Sequence, residues 1–208
     1  MSVMCDFGIQ LVDHNLEKVS FGFKGSMAHY DCSPLTVCGL SALLNRMVDQ
    51  DVNMVNASLI AEQMGIVVEE NKSTSADAFS NVITLEIEAG GKRRLVSGTL
   101  FEGAPRIVSL RDYSMDFAPE EHMLLLNYND RPGMIGRIGT IMGQHDINIA
   151  SMNLGRREKK GEAMVILSLD SAVPPHVVEE IKAATEATFI KAIHMRVGTC
   201  QRGCGCGL

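Results

Sequence analysis

Tyr128, Asp130 and glycines at 133, 136, 139 and 143 stand close together in YNDRPGMIGRIGTIMG, just after the apolar run His122 to Leu126. Glycines between a strand and a helix often cradle a phosphate. A dinucleotide site, however, needs G-x-G-x-x-G in the tight turn before the helix. Here the glycines follow one another at intervals of three, three and four. That is helical spacing, which argues against a nucleotide cradle, and no Gly-Lys-Ser/Thr follows, so a Walker loop is excluded. The spacing predicts a glycine stripe on a helix that begins after Pro132, with Ile135, Ile138 and Met142 on a neighbouring face. Such a stripe lets another backbone approach closely, at about 1 kcal/mol of helix propensity per glycine.

The start of that helix can do chemistry of another kind. Its first N–H groups have no intrahelical partner and carry partial positive charge, which suits a carboxylate. Asp130, just ahead of Pro132, offers a negative charge to a cation or caps the helix. Asn148, at the start of the next expected strand, presents both a donor and an acceptor, or serves only as a turn residue. An N–H cluster beside a carboxylate is a receptor for a zwitterion such as a free α-amino acid.

These residues need a scaffold, and 208 residues can form one large domain or two modest ones. The net charge of -6 argues against a nucleic-acid partner, since phosphate binding wants a basic surface. Lys92-Arg93-Arg94 and Arg156-Arg157 are small basic patches, of a kind that is usually solvated. No apolar stretch reaches the roughly 18 residues that span a bilayer, and the opening MSVMCDFGIQ is no secretory signal. The expected compartment is the cytosol, with no membrane partner. There, Cys5, Cys32 and Cys38 are expected to pack as free thiols. Cys200, Cys204 and Cys206 lie in a Gly-rich tail without a matching fourth ligand, which reads as a disordered extension and not as a metal site.

The expected fold class is α/β, of the α+β kind, in two domains. In the first, residues 1–118, Val19, Phe21 and Phe23 alternate as a strand. Ser33 reads as the cap of a helix with Pro34 in its first turn and Leu40, Leu43, Leu44 and Met47 on one face. Asn56 and Gly65 bracket a second helix, IVVEE follows as a strand, and 71–80 reads as a polar loop. Gly90-Gly91 joins two strands as a hairpin, and PRIVSLRDYSMDF adds one or two more. This is an open sheet with two helices.

The second domain, 119–197, runs strand (122–127), helix (133–144), strand (147–154), strand (162–169), helix (175–184), strand (190–196). That is the βαββαβ order of ferredoxin-like sandwiches. Helices would cover one face of its antiparallel sheet, leaving the other to a partner or to solvent. Residues 198–208 form the tail.

The run NDRPGMIGRIGTIMGQHDINIASMNLGRREKKGEAMVILSLD resembles the ACT domain at the C-terminus of long-form D-3-phosphoglycerate dehydrogenases. YDCSPLTVCGLSALL, VNMVNASLIAEQMGI and ITLEIEAGGKRRLVSGTLFEGAPRIVSL are similar to the intervening allosteric substrate-binding domain of the same enzymes. The resemblance covers about Lys18 to Arg196. It implies that L-serine binds between ACT domains of neighbouring subunits, at Tyr128, Asp130 and Asn148, in a homo-oligomer. The helix-end N–H groups of Gly133, Met134 and Ile135 are candidates for the serine carboxylate. In the intervening domain it implies an anion site, for which Lys92, Arg93, Arg94 and Arg106 are the candidates.

The family's Rossmann glycines and catalytic residues have no counterpart here and would precede residue 1 in longer relatives. The chain is therefore expected to hold no NAD, no metal and no catalytic residue, and to act as a serine-sensing regulatory region. Two competitors remain. The small subunit of iron–sulfur L-serine dehydratases pairs similar domains, but its opening Ser-His-Thr motif is missing from residues 1–17. The other is a dimerising scaffold without a ligand.

Overall fold

The computed structural model describes residues 1–13, 15–75, 79–157 and 161–196. The cysteine tail lies outside them. The chain forms two compact units that divide between Arg111 and Asp112.

The first unit opens with α1 (Ser2–Ile9), for which the sequence carried no signal. Met4, Cys5, Phe7, Gly8 and Ile9 are all buried, so the helix is apolar nearly all round and shows no 3.6-residue stripe. No side chain caps it either. The rest of the unit comprises β1 (Leu16–Gly25), α2 (Ser33–Leu44), α3 (Ala57–Gln63), β2 (Val67–Ser73), β3 (Asn81–Ala89), β4 (Lys92–Phe101) and β5 (Ala104–Leu110). These strands run in the order β2-β1-β3-β4-β5. β1 and β2 are parallel, joined by the crossover through α2 and α3, and the other pairs are antiparallel. Val19, Phe21 and Phe23 are fully buried, as their alternation predicts.

Three local details differ from expectation. Ser33 is the first residue of α2 and not its cap, which is Cys32. The Asp31 carboxylate takes the helix-start donors instead, accepting from the Ser33 amide at 3.1 Å and hydroxyl at 2.7 Å. Asn56 does precede α3, but its carboxamide oxygen accepts from the Asn53 N–H behind it and makes no forward cap. β2 continues to Ser73, three residues into the expected loop, because β1 pairs with it residue for residue from Lys18–Val67 to Lys24–Ser73. The Gly90-Gly91 turn has φ of +56° and +67°, the left-handed pair that a two-residue hairpin demands.

The second unit contains β6 (Tyr113–Phe117), β7 (His122–Asn129), α4 (Met134–Gln144), β8 (Ile149–Arg156), β9 (Glu162–Leu169), α5 (Pro175–Thr185) and β10 (Phe189–His194). From β7 onward this is the expected βαββαβ order, in an antiparallel sheet β10-β7-β9-β8. Leu124, Leu126, Tyr128, Val165 and Leu167 on one face pack with Ile138 and Ile181 of the two helices in one core cluster. The opposite face does not stand open as expected. Met123, Leu125, Met164, Ile166 and Ile193 on it are also buried. β6 lies against this face: Asn127 Nδ2 donates to the Tyr113 hydroxyl at 3.5 Å. A Cβ on Gly155 would meet the Ser114 carbonyl at 3.1 Å.

The glycine stripe of α4 also departs from expectation. Its buried face is Met134, Ile138, Ile141 and Met142, whereas Ile135 is exposed. A Cβ at Gly133, Gly136, Gly139 or Gly143 would meet nothing within 4 Å. The close approach inferred from the glycines is thus not made by any described residue of the chain.

Candidate functional site

Tyr128 and Asp130 leave the end of β7 on one face of the sheet, because strand side chains alternate. Arg156, at the end of β8, shares that face: Tyr128 and Arg156 both stand opposite Ala163 of β9. Arg156 Nε lies 2.8 Å from Asp130 Oδ2. The Asp130 amide donates to the Gly161 carbonyl at 3.0 Å, which anchors the strand end.

Asp130 is not the cap of α4. The cap position is Gly133 at φ +92°, a left-handed conformation that glycine adopts without a Cβ penalty, and no side chain satisfies the helix start. Of the three N–H candidates there, Met134 is already engaged, donating to the Arg131 carbonyl at 3.4 Å. Gly133 and Ile135 remain the better anion donors. Two contacts hold this end of α4 against the end of α5: Arg131 pairs with Glu186, and Arg137 donates to the Ala184 carbonyl at 3.0 Å.

Tyr128 is fully buried, and its hydroxyl is a buried polar atom without a hydrogen-bond partner. Burial raises its pKa, and the nearby Asp130 charge adds to that while Arg156 opposes it. A buried, unsatisfied hydroxyl costs about 1–3 kcal/mol, so the fold tolerates a polar atom here that packing alone would replace. In the sequence Arg156 reads only as part of a basic patch. Its cue was β-strand register, which places it across from Tyr128 and cannot be read from the chain without the pairing.

Asn148 is not brought to this cluster. It precedes Ile149, which pairs with Leu169, the residue also opposite His122. From Ala163 to Leu169 is six residues along β9, so Asn148 stands roughly 20 Å from Tyr128 at the other end of the sheet. There its Nδ2 donates to Asp170 Oδ2 at 2.7 Å, and its carbonyl accepts from the Asp170 amide at 3.2 Å.

The four basic candidates of the first unit do not converge either. Lys92 is exposed and Arg93 pairs with Glu86. Arg94 donates to the carbonyls of Leu11 and Arg93, both at 3.3 Å. Arg106 pairs in register with Thr99, five residues along β4 from Arg94, or roughly 17 Å.

Around Tyr128 and Asp130 the arrangement offers an acid, a base already bound to it and open helix-end donors, which is equipment for binding. Among the described residues no helix is long and apolar enough to cross a membrane.

Comparison with known proteins agrees with both halves. Residues 1–111 match the D-3-phosphoglycerate dehydrogenase intervening domain, and residues 122–186 match the ACT domain. The chain is 33% identical over 187 residues to D-3-phosphoglycerate dehydrogenase of Bacillus subtilis, covering 89% of this chain and 36% of that protein. The enzyme of the same name from Methanocaldococcus jannaschii is 32% identical, over 90% of this chain and 36% of its own length. That of Synechocystis is 33% identical, over 83% and 31%. The chain thus spans about a third of the length of these curated relatives. By the match to more than half of its residues, the chain belongs to the D-3-phosphoglycerate dehydrogenase intervening-domain family, here followed by an ACT domain.

Proposed function

We propose that the chain is a regulatory region of the D-3-phosphoglycerate dehydrogenase type that senses L-serine, with each ligand held between two copies. The observation that carries this reading is the division of the site. Tyr128, Asp130, Arg156 and the uncapped start of α4 gather at one end of the sheet. Asn148, which the family resemblance adds to the same ligand, lies roughly 20 Å away. One copy therefore cannot close the site, and a second would supply the missing carboxamide.

The chemistry is an exchange of partners. The serine ammonium takes the place of Arg156 on the Asp130 carboxylate. The released guanidinium and the N–H groups of Gly133 and Ile135 receive the serine carboxylate. This movement opens the buried Tyr128 hydroxyl to the ligand's own hydroxyl. Ligand binding favours the paired arrangement of copies by as much as it prefers that arrangement over others, and feedback follows from that preference. On this reading the chain binds no cofactor and transfers no hydride. Any NAD-dependent oxidation of 3-phosphoglycerate belongs to catalytic domains that work with it in the cytosol.

The test is calorimetric titration of L-serine into the full chain and into Asp130→Ala, Asn148→Ala and an equal mixture of the two. Each variant alone is expected to show no binding. In the mixture half of the dimers are mixed, and each of those has one intact site. Binding should therefore return at about a quarter of the wild-type stoichiometry. No heat with the unaltered chain at millimolar serine would sink serine sensing. A mixture as silent as its components would sink the shared site.

A further inference from the structure

At the other end of the same sheet lies a cluster that the serine reading does not use. His122 of β7 and His194 of β10 stand directly opposite one another in the antiparallel register. Their Nδ1 atoms are 3.2 Å apart, and the rings stack with centroids 5.0 Å apart and an interplanar angle of 25°. Glu121 sits next to them, with its Oε1 3.7 Å from His122 Nε2. Its backbone is fixed too, since the Met195 amide donates to the Glu121 carbonyl at 2.8 Å. One donor atom from each of the three residues lies within 4.8 Å of the others.

We propose that Glu121, His122 and His194 bind a first-row divalent cation of the zinc type at the end of the β7–β10 strand pair. Left to themselves, two neutral imidazoles meeting nitrogen to nitrogen share one proton and satisfy one hydrogen bond. A cation would instead take a lone pair from each ring. The N···N separation of 3.2 Å fits that alternative. Two zinc–nitrogen bonds of about 2.0–2.1 Å at a tetrahedral angle set their nitrogens about 3.3 Å apart. Two imidazoles and a carboxylate suit Zn2+, and also Co2+, Ni2+ and Cu2+, better than Mg2+ or Ca2+, which prefer all-oxygen shells. Glu121 is exposed and His122 only partly covered, so a water can complete a fourth position. The strands hold the two histidines in register before any ion arrives, and this lowers the ordering cost of binding. The sequence hides the pairing because positions 122 and 194 are 72 residues apart and follow no metal-ligand spacing.

Thiolates in general bind Zn2+ and Co2+, so the three tail cysteines are replaced first to keep their chemistry out of the titration. The test therefore uses the full chain carrying Cys200→Ser, Cys204→Ser and Cys206→Ser, titrated with Zn2+ by calorimetry and with Co2+ by visible absorption. One Zn2+ per chain is expected, with Co2+ bands free of thiolate charge transfer. Affinity should fall about tenfold or more in His194→Gln and again in His122→Gln, and less in Glu121→Gln. His194 lies on an edge strand and is exposed, so His194→Gln also covers the case in which His122→Gln perturbs folding. Circular dichroism of the metal-free variants reports that directly. No Zn2+ bound by the tail-silenced chain would overturn the proposal and leave a hydrogen-bonded histidine pair only. So would affinity unchanged in the His122→Gln/His194→Gln double variant.

Discussion

Two helices of this chain carry glycine on an exposed or packed face, and they use it in opposite ways. In α2, Gly39 is buried where α1 crosses. A Cβ there would meet Phe21 Cε1 at 2.8 Å, Met1 Cγ at 2.9 Å and Cys5 Sγ at 3.0 Å. In α4, a Cβ on Gly136, Gly139 or Gly143 would meet nothing within 4 Å. The first glycine is required by packing inside its own unit. The others weaken their helix without any return from the described residues. Glycine in a helix thus marks either a contact already made or a surface kept smooth, and only the neighbours tell which.

The largest effect is expected where the contact is made. Gly39→Val would force its side chain into Phe21 and Cys5, and overpacking of this kind costs about 1–3 kcal/mol. The denaturation midpoint of the chain should fall accordingly. Cys5 supplies a local readout, because complete burial pushes its thiol up to about 12. An unfolded cysteine ionises near 8.5, so folding holds Cys5 protonated and unreactive at mildly alkaline pH. Its contribution to stability is intact below that unfolded value and is lost as pH rises from there towards 12. At pH 8.5, iodoacetamide should label Cys5 slowly in the unaltered chain and faster in Gly39→Val. Equal stability and equal labelling would mean that α1 does not press on α2 as described.

Much of the second unit could be read from residue order, because each element there announces itself. β7 is an apolar run, Pro132 and Pro175 mark helix starts, and hydrophobic residues recur at helical spacing along α4. α1 could not be read, since a helix that is apolar nearly all round shows no clear stripe, and no side chain caps it. The site divides the same way. Tyr128 and Asp130 belong to a local motif and are legible one after another. The Asp130–Arg156 ion pair joins the residue just past β7 to the last residue of β8, two strands that β9 separates in the sheet. The distance between Tyr128 and Asn148 was equally invisible, because motif order says nothing about which end of a strand each residue occupies. The open stripe of α4 shows a related limit: spacing places the glycines on one face, but does not say what that face meets.

A smaller effect concerns the residue below α4. Tyr128 packs in the same core cluster as Met134 and Ile138, yet its hydroxyl has no partner. Tyr128→Phe removes an unsatisfied buried polar atom and leaves the ring in place. Without ligand, stability should therefore stay level or rise by about 1 kcal/mol. If serine uses that hydroxyl on entry, its affinity should drop about tenfold, equivalent to about 1.4 kcal/mol. Thermal unfolding with and without serine separates the two effects. A variant that loses stability in the absence of ligand would show that the hydroxyl is satisfied after all. A variant that binds serine as tightly as before would remove Tyr128 from the site.

The smallest effect tests the open half of the comparison directly. Gly139→Ala adds a methyl group where nothing stands within 4 Å, in a residue of regular α-helix. The unfolded chain loses freedom and the helix gains propensity, so stability should rise by about 0.4–1 kcal/mol. Urea unfolding at low protein concentration is the appropriate measurement, because it isolates the single chain from any association. The same substitution in α2, Gly39→Ala, has the same gain in propensity but must also displace Phe21, and its net effect should be negative. Opposite signs for one chemical change in two helices would establish that their glycines serve different ends. A loss of stability in Gly139→Ala at low concentration would mean that something in the chain does pack on the α4 stripe.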